Sequence, residues 1–127
     1  MKIKNINIVG IYRCVQEIID SKDAKKELQD SGKVVYASVK NLNMLKPIVD
    51  ALAKSENDLR MAANEAGSSK ETPNAEIQKQ FVIDIDKLYE TEQDVELHKI
   101  SLAHCEILQK HLTGASTHAL FSYIILE

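Results

Sequence analysis

Four histidines, His98, His104, His111 and His118, recur at intervals of six, seven and seven residues. Residues seven apart on one helix sit about 10 Å from each other along the axis, too far to share a single metal ion. A helical zinc pair needs i, i+4 spacing, which this chain lacks. His104 precedes Cys105 directly, but neighbours on a helix point about 100° apart and do not form a base–nucleophile pair. Cys105 instead falls in the run Leu102, Cys105, Leu108, and Cys14 lies between Ile11 and Ile18. Both read as small buried residues in a reducing, cytosolic compartment. Gly67-Ser68-Ser69-Lys70 lacks the earlier glycine of a phosphate loop and follows a helical pattern, not a strand. These residues predict no catalytic site, no cofactor and no bound metal.

The densest titratable region is acidic. Asp84, Asp86, Glu90, Glu92, Asp94 and Glu96 fall within 13 positions, without the central glycine of a calcium loop or the apolar surroundings that drive paired carboxyl pKa values apart. This set is the candidate partner-binding face. The wider charge distribution supports that choice. Residues 1–49 hold nine Lys/Arg and five Asp/Glu (+4), residues 50–75 hold three and five (−2), and residues 76–127 hold four and nine (−5). Arg13 and Arg60 are the only arginines. Because arginine dominates base readout, direct sequence-specific nucleic-acid binding is disfavoured. The most basic helical candidate, Lys33–Lys46, has three lysines and no arginine.

The elements that position these residues follow from composition and periodicity. With 127 residues, 44% hydrophobic and 28% charged, the chain has the size and balance of one folded domain spanning residues 1–127. Four glycines and two prolines are too few turn formers for a sandwich or barrel. The class is therefore α+β and mainly α, with four to five helices. Asn7 is expected to cap a first helix carrying Ile8, Ile11, Tyr12, Val15, Ile18 and Ile19, ending near Asp20. A short polar helix, Lys22–Gln29, is stopped by Ser31-Gly32. From Lys33 to about Ala66, Leu42, Leu45, Val49, Leu52, Leu59 and Ala63 keep three–four spacing with Glu56 as a polar interruption, predicting one long helix. Pro47 lies inside it, and the preserved apolar phase favours a kink over a break.

Residues 67–76 read as a mobile loop. Phe81-Val82-Ile83 is β-prone, and Asp84 or Asp86 is expected to open a helix through about Gln93. Lys2–Lys4 and residues 95–100 alternate and are paired as a two-stranded antiparallel sheet. Ser101 should cap a helix over Leu102–Leu112, and Thr113 a last one. The longest apolar stretch, Ala119–Leu126, is too short to span a bilayer, so no membrane partner is expected.

The strings Tyr36-Ala-Ser-Val-Lys40-Asn41-Leu-Asn-Met-Leu45-Lys46-Pro47, Asp94-Val-Glu-Leu-His-Lys-Ile100 and Leu112 through Glu127, in this order of elements, resemble a family of small uncharacterised phage and prophage proteins. The resemblance covers most of the chain but departs near Cys105–His111, where the segment before the last helix is longer. It brings no catalytic residues and implies a mobile-element setting in the bacterial cytoplasm. The resulting expectation is a non-catalytic accessory protein that binds a host or phage protein, with a host defence complex such as a CRISPR effector as a candidate target. The alternative is a virion or assembly protein that forms homo-oligomers through its helices.

Overall fold

The computed structural model describes residues 1–68 and 71–126. Among these, the elements run β1 (Lys2–Lys4), α1 (Asn5–Asp20), α2 (Lys22–Glu27), α3 (Ser31–Glu65), α4 (Ala75–Glu90), β2 (Glu92–Asp94), β3 (Ile100–Ser101), α5 (Leu102–Leu108), α6 (Gly114–Ala119) and β4 (Ile125–Leu126). The mainly helical α+β class holds, with one long helix and a small antiparallel sheet at the N-terminus.

The core is organised around α1. Ile8, Ile11, Cys14, Val15 and Ile18 are buried on one face, and the helix packs against α3, α6 and α4. Val34, Ala37 and Leu45 from α3, Cys105 and Leu108 from α5, and Ala119, Leu120 and Ile124 complete the cluster. Full burial of each large aliphatic side chain contributes about 1.5–3 kcal/mol, so this face is the main source of stability. Asn7 is not the cap. The helix begins three residues earlier, with Lys4 at the cap position, because Asn5 is itself buried and its amide N–H donates to Thr91 O at 2.9 Å, continuing the sheet ladder directly into the helix.

Ser21 caps α2 by accepting from Ala24 N. Ser31-Gly32 does not stop that helix; it opens α3. The reversal is made by Asp30 at φ 59°, a left-handed conformation that aspartate tolerates better than most residues. The long helix then runs unbroken through Pro47 to Glu65. Pro47 is exposed, so the carbonyl that loses its partner there can turn to water. Gly67, at φ 105°, ends the helix. Its N–H donates to Asn64 O at 3.1 Å and that of Ser68 to Ala63 O at 3.0 Å, a paired C-terminal closure that needs a left-handed residue.

Three expectations for the middle of the chain are corrected. Phe81-Val82-Ile83 is helical, and α4 starts at Ala75, well before Asp84. The reason is a strong local cap: Asn74 Oδ1 accepts from Glu76 N at 3.1 Å and Ile77 N at 3.2 Å. The expected loop is correspondingly shorter, since Ala75 and Glu76 are helical; its positions 69 and 70 lie outside the described residues. The partner of β1 is β2, at Glu92–Asp94, not residues 95–100. The register sets Lys2 opposite Asp94, Ile3 opposite Gln93 and Lys4 opposite Glu92, so opposite charges face each other across the exposed side.

Residues 95–99 belong to no strand: Val95 N–H donates to Met1 O at 2.8 Å, and His98 is held by Asn41, which is fully buried on α3. Its Nδ2 donates to His98 O at 2.9 Å and its Oδ1 accepts from His98 N at 2.8 Å. Ile100-Ser101 forms a second, parallel pair with Ile125-Leu126.

Ser101 caps α5, accepting from His104 N, but that helix tightens to a 3-10 turn at Gln109–His111. Thr113 caps α6 as expected. The last helix passes into a π-helical turn at Leu120–Ile124, whose Tyr123 carbonyl accepts from Lys99 Nζ at 2.6 Å. No described helix is long and apolar enough to cross a membrane.

Candidate protein-binding surface

The six acidic candidates are divided by the fold. Asp84, Asp86 and Glu90 lie on α4, Glu92 and Asp94 on β2, and Glu96 just beyond it. Asp84 and Asp86 are two helical positions apart and point about 200° away from each other. Glu90 Oε2 accepts from Lys4 Nζ at 2.7 Å, a contact that raises the lysine pKa. The α-amino group of Met1 donates to Asp94 at 3.0 Å and Glu96 at 3.3 Å. Three of the six carboxylates are thus engaged by cations from the other end of the sequence, and Glu92 faces Lys4 across the sheet. The set is an interleaved charged surface, not one acidic patch. Asp84 stands apart: among the described residues it accepts only from Gln80 Nε2 on its own helix, at 2.9 Å.

Asp84 borders a different feature. Beyond Leu52, the C-terminal half of α3 and all of α4 form a two-helix arm. From Ala53 to Glu90 no described apolar residue is buried, although Leu59, Ala63, Ile77, Phe81, Ile85 and Leu88 are half-buried along a single seam. Periodicity drives these two amphipathic helices together, but two helices alone cannot enclose a core. Polar contacts brace the seam at both ends. Near the base, Tyr89 Oη donates to Glu56 Oε2 at 3.2 Å, which accounts for the polar interruption in the α3 stripe. Burial, and then the nearby carboxylate, raise the Tyr89 pKa. At the tip, buried Ser68 Oγ accepts from Asn74 N at 3.0 Å and Gln78 Nε2 at 2.7 Å.

Along the arm, Leu59, Ala62, Ala63 and Ala66 of α3 and Ile77, Gln80, Phe81 and Asp84 of α4 line a groove of about 250 Å³. Alanines on the α3 side leave the space open. Arg60 lies over the Phe81 ring, 5.9 Å from its centre. The groove can accept one or two apolar side chains, with a carboxylate at its edge to meet a cation. Sequence reasoning found the α3 stripe and Asp84 but not their meeting. The signal was present in the three–four spacing of Ile77, Phe81, Ile85 and Leu88, hidden by the β-branched run around Val82.

Two further clefts flank the core. One, of about 360 Å³, lies where the arm joins the body and is lined by Asn5, Pro47, Ile48, Ala51, Leu52, Ser55, Leu88 and Gln93. Asn5 is committed there to structure: its Nδ2 donates to Leu88 O at 2.8 Å and its Oδ1 accepts from Gln93 Nε2 at 2.7 Å. The other, of about 270 Å³, is basic and includes Lys33, Lys99, Ser101 and His104. Its cations already have partners, Lys33 with Asp30 at 3.4 Å and Lys99 with the Tyr123 carbonyl, while the His104 ring meets Gln29 O at 3.2 Å.

The histidines and cysteines are dispersed over the fold. His111 Nε2 sits 3.4 Å from Glu27 Oε2, and His98 is exposed and held through its backbone. Among the described residues no group of three or more His, Cys, Asp or Glu is placed to hold a metal ion. Both thiols are buried. Desolvation pushes Cys14 up to about 12 and Cys105 up to about 11, values at which neither is a nucleophile at neutral pH. Cys105 Sγ rests 3.6 Å from Ile100 O.

No family model matches the chain, and no curated protein or solved structure is similar to it.

Proposed function

We propose that this chain is a non-catalytic accessory protein of a phage or other mobile element that acts inside the bacterial host by binding another protein. The observation that carries this reading is the arm: 38 residues, from Ala53 to Glu90, in which no described apolar side chain is buried. A helix pair that leaves its seam half covered gains stability when a partner covers the rest. The occupant that suits the groove is an apolar side chain flanked by lysine or arginine, since Asp84 lies at its edge and residues 76–127 carry a net −5. Host defence complexes such as CRISPR effectors present basic surfaces of this kind, and inhibition of such a complex is the role we assign.

The test is phage plating on a host with an active CRISPR effector, alongside capture of the tagged chain. The wild type should restore plaques and co-purify with the effector. Ala62→Trp, which fills the groove, and Asp84→Lys, which reverses its edge, should lose both while retaining helical circular dichroism. Unchanged plating with the wild type, or equal capture by all three proteins, would overturn the assignment.

A further inference from the structure

The outward face of α4 carries a pattern that the groove does not explain. Lys79, Val82, Ile83 and Asp86 follow i, i+3, i+4, i+7 spacing and form one stripe on the side of the helix away from the seam. All four are exposed, with Val82 at 53% and Ile83 at 37%. Neither Lys79 nor Asp86 has a hydrogen-bond or ion-pair partner among the described residues. Two adjacent apolar residues are therefore bracketed by one free cation and one free anion, each about one helical turn away.

This arrangement is self-complementary. A two-fold axis passing between Val82 and Ile83 lays α4 antiparallel on its copy. Position 79 then falls opposite position 86 of the second chain, and 86 opposite 79, while Val82 of each copy meets Ile83 of the other. A parallel alignment would place Lys79 on Lys79 and Asp86 on Asp86, so the charges select the antiparallel one.

We infer that the chain forms a two-fold homodimer through the outward face of α4, in which Lys79 of each copy pairs with Asp86 of the other across a Val82–Ile83 contact. The interface leaves the groove open, so it goes beyond the proposed function and is tested independently of it. It also withdraws Asp86 from any heterologous binding face.

The experiment is sedimentation velocity of the full chain over a concentration series, with circular dichroism to confirm folding. The wild type should approach twice the monomer mass at the upper concentrations, and more weakly as salt is raised. Lys79→Glu alone and Asp86→Lys alone place like charges opposite each other and should weaken association about tenfold or more. The double variant K79E/D86K, and an equimolar mixture of the two single variants, should associate again. A wild type that stays monomeric throughout, or single reversals that dimerise as well as it does, would overturn the inference. Unchanged effector capture by the monomeric variants would leave the groove reading standing while the dimer is judged separately.

Discussion

Asn41 holds His98 as a strand would: one side-chain amide, buried on the long helix, both donates to and accepts from the backbone of a residue 57 positions away. The backbone at His98 thereby docks on α3 without a β partner. Replacing Asn41 with Leu removes both bonds and leaves the His98 carbonyl and N–H without this partner. It should destabilise the fold by about 2–4 kcal/mol. Denaturant midpoints measure the loss, and hydrogen exchange should accelerate first at His98.

Glu17 ties α1 to the start of α6. It accepts from Thr113 N at 3.0 Å, Thr113 Oγ1 at 3.2 Å and Ser116 Oγ. Desolvation pushes its pKa upward, but the bonds from Ser116 and Thr113 outweigh this and hold it below the ordinary value of 4.5. A depressed carboxyl contributes stability above its unfolded pKa and loses it as pH falls through the folded one. Wild-type stability should therefore decline more steeply below about pH 4.5 than that of Glu17→Gln. At pH 7 the variant should be less stable by about 1–2 kcal/mol.

Ser38 offers the opposite sign. It is fully buried on α3, and among the described residues its Oγ finds no hydrogen-bond partner. Ser38→Ala removes a desolvated hydroxyl and restores a better helix former, so thermal unfolding should shift upward by the equivalent of about 1 kcal/mol.

The two thiols should report on opening of the core. With Cys14 and Cys105 buried and their pKa values raised, labelling by a thiol reagent at neutral pH should proceed only through unfolding. Its rate should rise with denaturant in step with loss of helicity. Rapid labelling of the native chain would contradict the burial.

What the sequence disclosed followed the range over which each signal acts. Ile8, Ile11, Val15 and Ile18 announce α1 because helical burial writes its own period into nearby residues. The caps at Ser101 and Thr113 are local for the same reason. By contrast, Glu92-Gln-Asp94 has no strand propensity, and only Lys2–Lys4 arriving opposite makes it β2. Residues 95–100 do alternate, as a chain with one buried side must, but pairing depends on where the backbone bonds go, and Asn41 takes those of His98. The cations interleaved with the acidic candidates are hidden in the sequence for a related reason. Lys4 and Glu90 are 86 positions apart, and no linear count of carboxylates reveals the cation that folding brings to them. Val82 and Ile83 looked like the centre of a strand because β-branched residues favour one. The Asn74 cap and the seam from Ile77 to Leu88 outweighed that preference.

The closure at Gly67, Ser68 and Asn74 fastens the tip of the arm to itself, and Glu56 with Tyr89 fastens it near the body. Between those two clasps Leu59, Ala63, Ile77 and Phe81 line the groove between the two helices, and none of them belongs to the buried core. The arm is therefore a beam of adjustable length: matched turns added to or removed from both helices would change how far the tip stands from the body without disturbing a single side chain of the core. Reach can vary in this protein independently of folding.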